Sequence, residues 1–374
     1  MKKRILFDLG HPGHFHLFKN TIHYFELHPD FDVFITTRNI PIIISLLNSA
    51  GWEYTILGTR RKGILGKLFS VLETDITMLF FVFKNKIDLG LHCGIVLSHV
   101  SLLTRMRSWI FDDDDDAVEP LMVSFSHPFS EAVFTPNCIK RKTKRAVYYP
   151  GTHELAYLYD GIERIKDISD SYSIVRLVAF NGHHDTGHSG LNDEQMTRLV
   201  DLLERYGRVI ITSEKELSAK WEKYRVAVSA DKMHELMAGA NIVVGDSQTM
   251  ISEAATMGVP AFKCNSFAGA LSVPNMLEKE FDLCRSYHPN QFDSMLETIE
   301  GVLNLFIDSK KSNDGLKKFK SEKMNTTRLM VYCIEQWDLD FDKINQFTKK
   351  EWLSLGSNIE LCPKILPSSS TKIC

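Results

Sequence analysis

The chain has 374 residues, with 44 lysines and arginines against 47 aspartates and glutamates, for a formal net charge of −3. Hydrophobic residues make up 44% and charged residues 24%, the balance of a globular protein in water, and so small a net charge excludes an electrostatically driven nucleic-acid binder. The length exceeds what one core organises, so two domains are expected. The opening MKKRILFDLG is basic, but Asp8 interrupts its short apolar run, and it reads as a first strand rather than a signal peptide. No stretch reaches the roughly 18 uninterrupted apolar residues of a membrane-spanning helix.

That first strand runs into Gly10, His11, Pro12, Gly13, His14, Phe15 and His16, followed by a helix with Leu17, Phe18, Ile22 and Phe25 on its apolar side. A glycine-rich turn between a first strand and a first helix is where doubly wound folds expose reactive groups. Three histidines crowd it, and histidine is the side chain whose ordinary pKa lies nearest neutrality, which suits a general base. A strand at 31–36, a helix to Leu47 and a strand ending at Leu57 follow. The basic, glycine-punctuated stretch 58–67 then feeds a long apolar helix over 68–83, closed by Lys84 and Lys86. This helix reads either as a core element with a solvated basic entrance or as a patch, spanning 58–86, that touches anionic lipid.

The next strand, 87–92, places His92 at its carboxyl end. Another helix and the strand Trp109, Ile110, Phe111 lead to five consecutive aspartates, Asp112 to Asp116. Adjacent side chains cannot all face one ion, so the run does not make a metal site. It is expected to be mostly solvated loop, with Asp112 or Asp113 turned into a cleft. The segment 148–158 carries Pro150 and Gly151, which fit a hinge, and His153 and Glu154 there either line the cleft or fix the linker.

The second half opens with a strand at 175–180 and the loop 181–190, which holds Gly182, His183, His184, Asp185, Gly187, His188 and Gly190. His184 and His188 are four apart, a ligand spacing on a helix, but the glycines indicate a loop, so a metal is not expected. The loop mirrors the first one, and its His or Asp side chains can neutralise a leaving group or orient hydroxyls. A helix over 193–206 precedes a strand at 209–214 with the polar tip Ser213 and Glu214. In 241–262 the apolar run Ile242, Val243, Val244 gives way to Gly245, Asp246 and Ser247, which suit a turn and a helix N-cap. A helix over 249–257 ends at Gly258. Its N-terminus favours phosphate, and Glu253 one turn on can accept both hydroxyls of a ribose. The seven cysteines, at 93, 138, 264, 284, 333, 362 and 374, show no CxxC spacing, which suits free thiols in a reducing, cytoplasmic setting.

The run G-D-S-x-x-x-x-x-E-A-x-x-x-G-V-P at 245–260 resembles the nucleotide-sugar signature of GT-B glycosyltransferases and non-hydrolysing UDP-N-acetylglucosamine 2-epimerases. The opening D-L-G-H-P-G-H-F-H-L-F-K-N is similar to that of a GT-B-like family of bacteria and archaea related to lipopolysaccharide biosynthesis proteins. The resemblance implies that Ser247, Gln248 and Thr249 face a diphosphate, that Glu253 holds the ribose, and that Gly245 and Asp246 bind the donor beside them. With them Gly182, His183, His188, Ser213 and Glu214 would bind the donor, and Val228 and Met233 would wall the base. It implies an acceptor site at Gly10, Gly13, His16 and His92, and a catalytic set of His14 as base with His11, Asp112, His184 and Asp185. Enzymes of this type generally need no metal, and no cofactor is expected beyond the nucleotide-sugar substrate. The chain lacks the epimerases' Arg-Pro-Glu opening loop and their Thr-Glu-Arg-Pro-Glu.

The expected fold is therefore α/β of the GT-B type, two doubly wound Rossmann-like domains facing a central cleft. The expected limits are 1–165 for an acceptor domain, 166–340 for a nucleotide-sugar domain and 341–374 for a helix and frayed tail. The expected reaction moves a sugar from a nucleoside diphosphate donor, UDP-linked, to a surface-polysaccharide or lipid-linked acceptor, at the inner face of the plasma membrane. A 2-epimerase or hydrolase of the same donor, and a nucleotide-sugar binder without chemistry, are the alternatives.

Overall fold

The computed structural model describes residues 2–58, 64–162, 164, 171–178, 190–213, 216–308 and 314–361. Seven strands, β1 (Lys3–Leu9), β2 (Phe31–Thr37), β3 (Thr55–Ile56), β4 (Leu89–His92), β5 (Arg107–Phe111), β6 (Ala132–Pro136) and β7 (Ala146–Tyr149), form the first sheet. Its order is β3-β2-β1-β4-β5-β6-β7, parallel throughout. Five more, β8 (Tyr172–Leu177), β9 (Arg208–Ser213), β10 (Val243–Gly245), β11 (Ala261–Cys264) and β12 (Cys284–Tyr287), make a second parallel sheet of order β12-β11-β10-β8-β9. Together they form the expected GT-B architecture.

The unbroken apolar runs explain the parallel pairing, because strands sandwiched by helices must be buried on both faces. In β1, Ile5, Phe7 and Leu9 face a core shared with Leu17, Phe18, Ile22 and Phe25 of the helix Pro12–Glu26. Leu6 points the other way, onto Met78 and Val82 of the helix Ile64–Asn85. In β10 the same alternation sends Val243 to one core and Val244 to another. The helix Ile64–Asn85 starts earlier than its hydrophobicity suggests. Ile64, Leu65 and Lys67 are ordinary helix formers, and one glycine among them costs only about 1 kcal/mol.

The order in which successive strands are added reverses between β1 and β4 in the first sheet and between β8 and β10 in the second. At such switch points the loops beyond the strand ends splay apart and leave room for a ligand. After the second sheet the chain returns to the first. The helix Thr326–Gln336 lies along Pro12–Glu26, with Tyr24 donating to Glu335 at 2.6 Å. Thr326 and Thr327 donate to the carbonyls of Thr152 and Ala156 at 2.7 and 2.6 Å. Trp109 of β5 meets Phe341 edge to face. Among the described residues no helix is long and apolar enough to cross a membrane.

Candidate active site

The turn after β1 is built from its own histidines. Asp8 is buried and clamped by Thr36 at 2.9 Å and Arg38 at 3.1 Å, which fixes the strand end. His11 caps the helix Pro12–Glu26, its Nδ1 accepting the Gly13 N–H at 3.1 Å, with Pro12 in the first turn where its missing N–H does no harm. His14 reaches back so that its Nδ1 accepts the Gly10 N–H at 3.1 Å. That bond places the proton of the neutral ring on Nε2. Burial, then the charges of His11 and His153, pulls its pKa from 6.5 to about 3. His14 therefore presents a hydrogen-bond donor, not a free lone pair.

The aspartate run departs from the solvated loop expected of it. Asp112 and Asp116 are buried, and Asp114 is exposed. Arg141, whose side chain is 1% exposed, bridges Asp112 and Asp116 at 3.2 and 2.9 Å. The second oxygen of Asp112 accepts from His127 at 2.8 Å. The Asp112 carboxylate is thus consumed by the fold, and the catalytic part expected of it is corrected to a structural one. Asp115 takes the N–H and hydroxyl of Ser272, at 2.7 and 2.5 Å, and so caps a helix of the second half from the first. Asp113 alone turns to the crossing segment, where its Oδ1 lies 3.1 Å from His153 Nδ1. The Nε2 of His153 and the Oε2 of its neighbour Glu154 are buried without a hydrogen-bond partner among the described residues. Burial and then the Asp113 charge push the Glu154 carboxyl up to about 7.

His92 also needs correction. It is 0% exposed, with Nε2 on the Ser108 hydroxyl and Nδ1 on the Gly94 carbonyl, both at 2.8 Å. Those bonds tie β4 to β5 and leave nothing for an acceptor. His16 faces across the molecule, its ring 4.8 Å from that of His234 and 5.4 Å from that of Tyr157.

In the second half, β10 delivers the chain to the helix Gln248–Thr256, with Ser247 as N-cap accepting the Met250 N–H at 3.4 Å. Gly245 is required because a Cβ there would lie 2.2 Å from the Arg176 carbonyl of β8. The Gln248 amide oxygen accepts from Lys263 Nζ at 2.7 Å. Lys263 is buried, which lowers its pKa to about 8 and still leaves it largely charged at neutrality. Thr249, next in the helix after Gln248, is exposed. Asp246 is different: its Oδ1 accepts the Val178 N–H at 2.7 Å, and its carboxylate lies against Gly190. It thereby joins Val178 to Gly190.

Glu253 is buried where the halves meet. Its Oε1 accepts from Tyr157 at 2.8 Å and from His234 at 3.0 Å, and no bond to its Oε2 is made among the described residues. Lys19, whose Nζ sits 5.4 Å from the Tyr157 ring centre, feels the Glu253 charge; burial lowers its pKa to about 8. Val228 and Met233 are half-buried, and Ser213 ends β9. Gly182, His183, His184, Asp185, His188 and Glu214 lie outside the described residues. The structure thus gathers Gly10, His11, Gly13, His14 and His16 at one switch point and Ser247, Gln248, Thr249 and Glu253 at the other. It adds Lys19, Asp113, His153, Tyr157 and His234, of which the sequence singled out only Asp113 and His153.

No curated protein matches the sequence. Solved structures do match the fold. A protein designated UDP-N-acetylglucosamine 2-epimerase from Listeria monocytogenes superposes with a TM-score of 0.67 at 12% identity, over 93% of this chain and 99% of that one. The S. aureus MnaA–UDP complex gives 0.61 at 11% identity, over 90% and 96%. Acinetobacter baumannii MurG gives 0.56 at 12% identity, over 90% and 100%. At such identities the likeness is one of fold. Residues 3–336 match the family described as protein of unknown function (DUF354), and the chain belongs to that family.

Proposed function

We propose that this protein is a glycosyltransferase that moves a sugar from a UDP-linked donor to a surface-polysaccharide or lipid-linked acceptor. The observation that carries the reading is the helix end at the second switch point, where Ser247, Gln248 and Lys263 gather below a buried Glu253. A helix N-terminus with a lysine behind it favours a diphosphate. Glu253 is held rigidly through one oxygen, which leaves the other for ribose hydroxyls. Neighbours of the same fold include a protein solved with UDP and another solved with UDP-GlcNAc, which supports a nucleotide-sugar donor. The donor-side helix end would stabilise the departing diphosphate.

A lipid-linked acceptor is supported by the outer face of the helix Ile64–Asn85. Leu72, Ile76, Phe80 and Phe83 are exposed there at the spacing of one helical stripe, Phe80 by 70%. Leu102 and Leu103 are exposed as well, and Lys84, Lys86 and Arg105 are exposed in the same stretches. Apolar residues accompanied by cations suit an anionic bilayer surface. A 2-epimerase is the second reading, favoured by Glu154, whose carboxyl burial pushes up to about 7, with His153 as its neighbour in the chain.

Incubation with UDP-sugars, with and without lipid extract, tests the proposal. A transferase releases UDP in step with added acceptor and labels the lipid. Conversion of the donor to its C2 epimer without acceptor would replace transfer by epimerisation, and UDP binding with neither reaction would leave a binding protein.

A further inference from the structure

We infer that the Asp113–His153 pair, rather than His14, takes the proton of the acceptor hydroxyl. This rests on the transfer reaction proposed above and adds the identity of its base. His153 Nδ1 lies 3.1 Å from Asp113 Oδ1, so the neutral ring donates Nδ1–H to the carboxylate and keeps its lone pair on Nε2. That Nε2 is buried and has no hydrogen-bond partner among the described residues. Buried polar atoms are almost always bonded, and an orphan asks for a reason such as a missing ligand or a catalytic task. His14 offers the opposite arrangement, because the Gly10 N–H occupies its Nδ1 and its Nε2 carries the proton.

Position agrees with the chemistry. Asp113 stands two residues beyond β5, and His153 four residues beyond β7. Both act electrostatically on His14 in the first turn of the helix that follows β1. The pair therefore sits at the carboxyl ends of the first sheet, where ligands of such sheets bind. A carboxylate on Nδ1 holds the ring in the tautomer a base needs and stabilises the imidazolium once formed.

In the step, the acceptor O–H loses its proton to His153 Nε2 while its oxygen forms the bond to the anomeric carbon. The bond from that carbon to the diphosphate oxygen breaks, and its electron pair leaves with the nucleoside diphosphate. The imidazolium stays paired with Asp113 and later returns its proton to water. Burial opposes charge on His153, but Asp113, Glu154 and Asp112 outweigh it and raise its pKa. Asp114, beyond the same strand, and His14, from the first helix, are the other titrating groups that feel it.

The test measures UDP release from UDP-N-acetylglucosamine, UDP-glucose and UDP-galactose, with water as the acceptor hydroxyl, between pH 5 and 9. UDP affinity is measured in parallel by calorimetry on the full chain. His153→Gln should lower kcat by roughly 100-fold to 10,000-fold, the usual range for a general base, while keeping its affinity for UDP. Asp113→Asn should move the acidic limb of the rate profile to lower pH, and Asp113→Glu should return it part of the way. His14→Gln should leave that limb where it is. Full turnover in His153→Gln, an acidic limb that follows His14 instead, or wild-type protein that binds UDP yet releases none from any donor would overturn the pair as base. Wild-type protein that binds no UDP would overturn the donor reading itself, and the base with it.

Discussion

The hydroxyl of Tyr157, on the segment that crosses between the halves, donates a 2.8 Å hydrogen bond to Oε1 of Glu253 in the helix beyond β10. Both residues are buried, so the bond is shielded from water and joins the two halves at the residue read as the ribose ligand. Tyr157→Phe removes that donor and leaves Oε1 of Glu253 with His234 among the described residues. A loss of about 1–3 kcal/mol in urea unfolding is expected. A weaker response to UDP should accompany it, because Glu253 is then less well positioned.

Arg141 stands between two buried carboxylates, Asp112 and Asp116. Removing one partner of a buried ion cluster strands the other charges, so Arg141→Met should destabilise the protein by about 3–5 kcal/mol. Chemical denaturation checks this. Replacing the exposed Asp114 by Asn should cost less than about 0.5 kcal/mol in the same assay.

Acid should weaken the fold through its buried histidines. Burial lowers the His92 pKa from 6.5 to about 4, with Asp8 opposing. Below pH 6.5 the unfolded chain then binds a proton that the folded chain refuses. Stability is therefore complete above that pH and is lost as the pH falls toward 4. Between pH 7.5 and 5 this amounts to about 2 kcal/mol from His92, and His14 and His16 act in the same direction. His92→Gln should lose correspondingly less over that interval, whatever its starting stability, in urea titrations at the two pH values.

The stripe of Leu72, Ile76, Phe80 and Phe83 gives a membrane prediction. Wild-type protein should float with vesicles rich in phosphatidylglycerol and less with neutral ones. Phe80→Glu with Phe83→Glu should reduce binding at least about tenfold, since each large side chain contributes roughly 1.5–3 kcal/mol when fully buried. Equal flotation of the double variant would remove this face from the membrane contact.

Much of the fold was legible because parallel strands announce themselves as unbroken apolar runs and glycine turns mark where they end. The run 241–262 shows this best, with Ser247 and Glu253 standing where the pattern puts them. The site was less legible because its pairings are tertiary. Nothing local says that Asp113 of five aspartates meets a histidine forty positions on, or that Arg141 neutralises two of the others. Charge density made the run look solvated, and only the buried guanidinium reverses that. His92 looked available because strand ends often bear ligand contacts, yet Ser108 on the next strand claims its ring. The crossing segment did carry a signal, with His153 and Glu154 standing beside its Pro150 and Gly151. Tyr157 and His234 had none, because a lone aromatic or histidine in such a stretch reads equally well as packing.

The donor site is tested most directly by thermal denaturation with UDP, GDP, CDP and dTDP, on wild-type protein and on Glu253→Ala, with and without chelator. A ligand at 100 times its Kd stabilises by about 2.7 kcal/mol, well within detection. A rise in Tm with UDP that ignores chelator and disappears in Glu253→Ala is the expected result. No rise with any nucleoside diphosphate, or a rise that Glu253→Ala keeps in full, would contradict a donor site at the helix beyond β10.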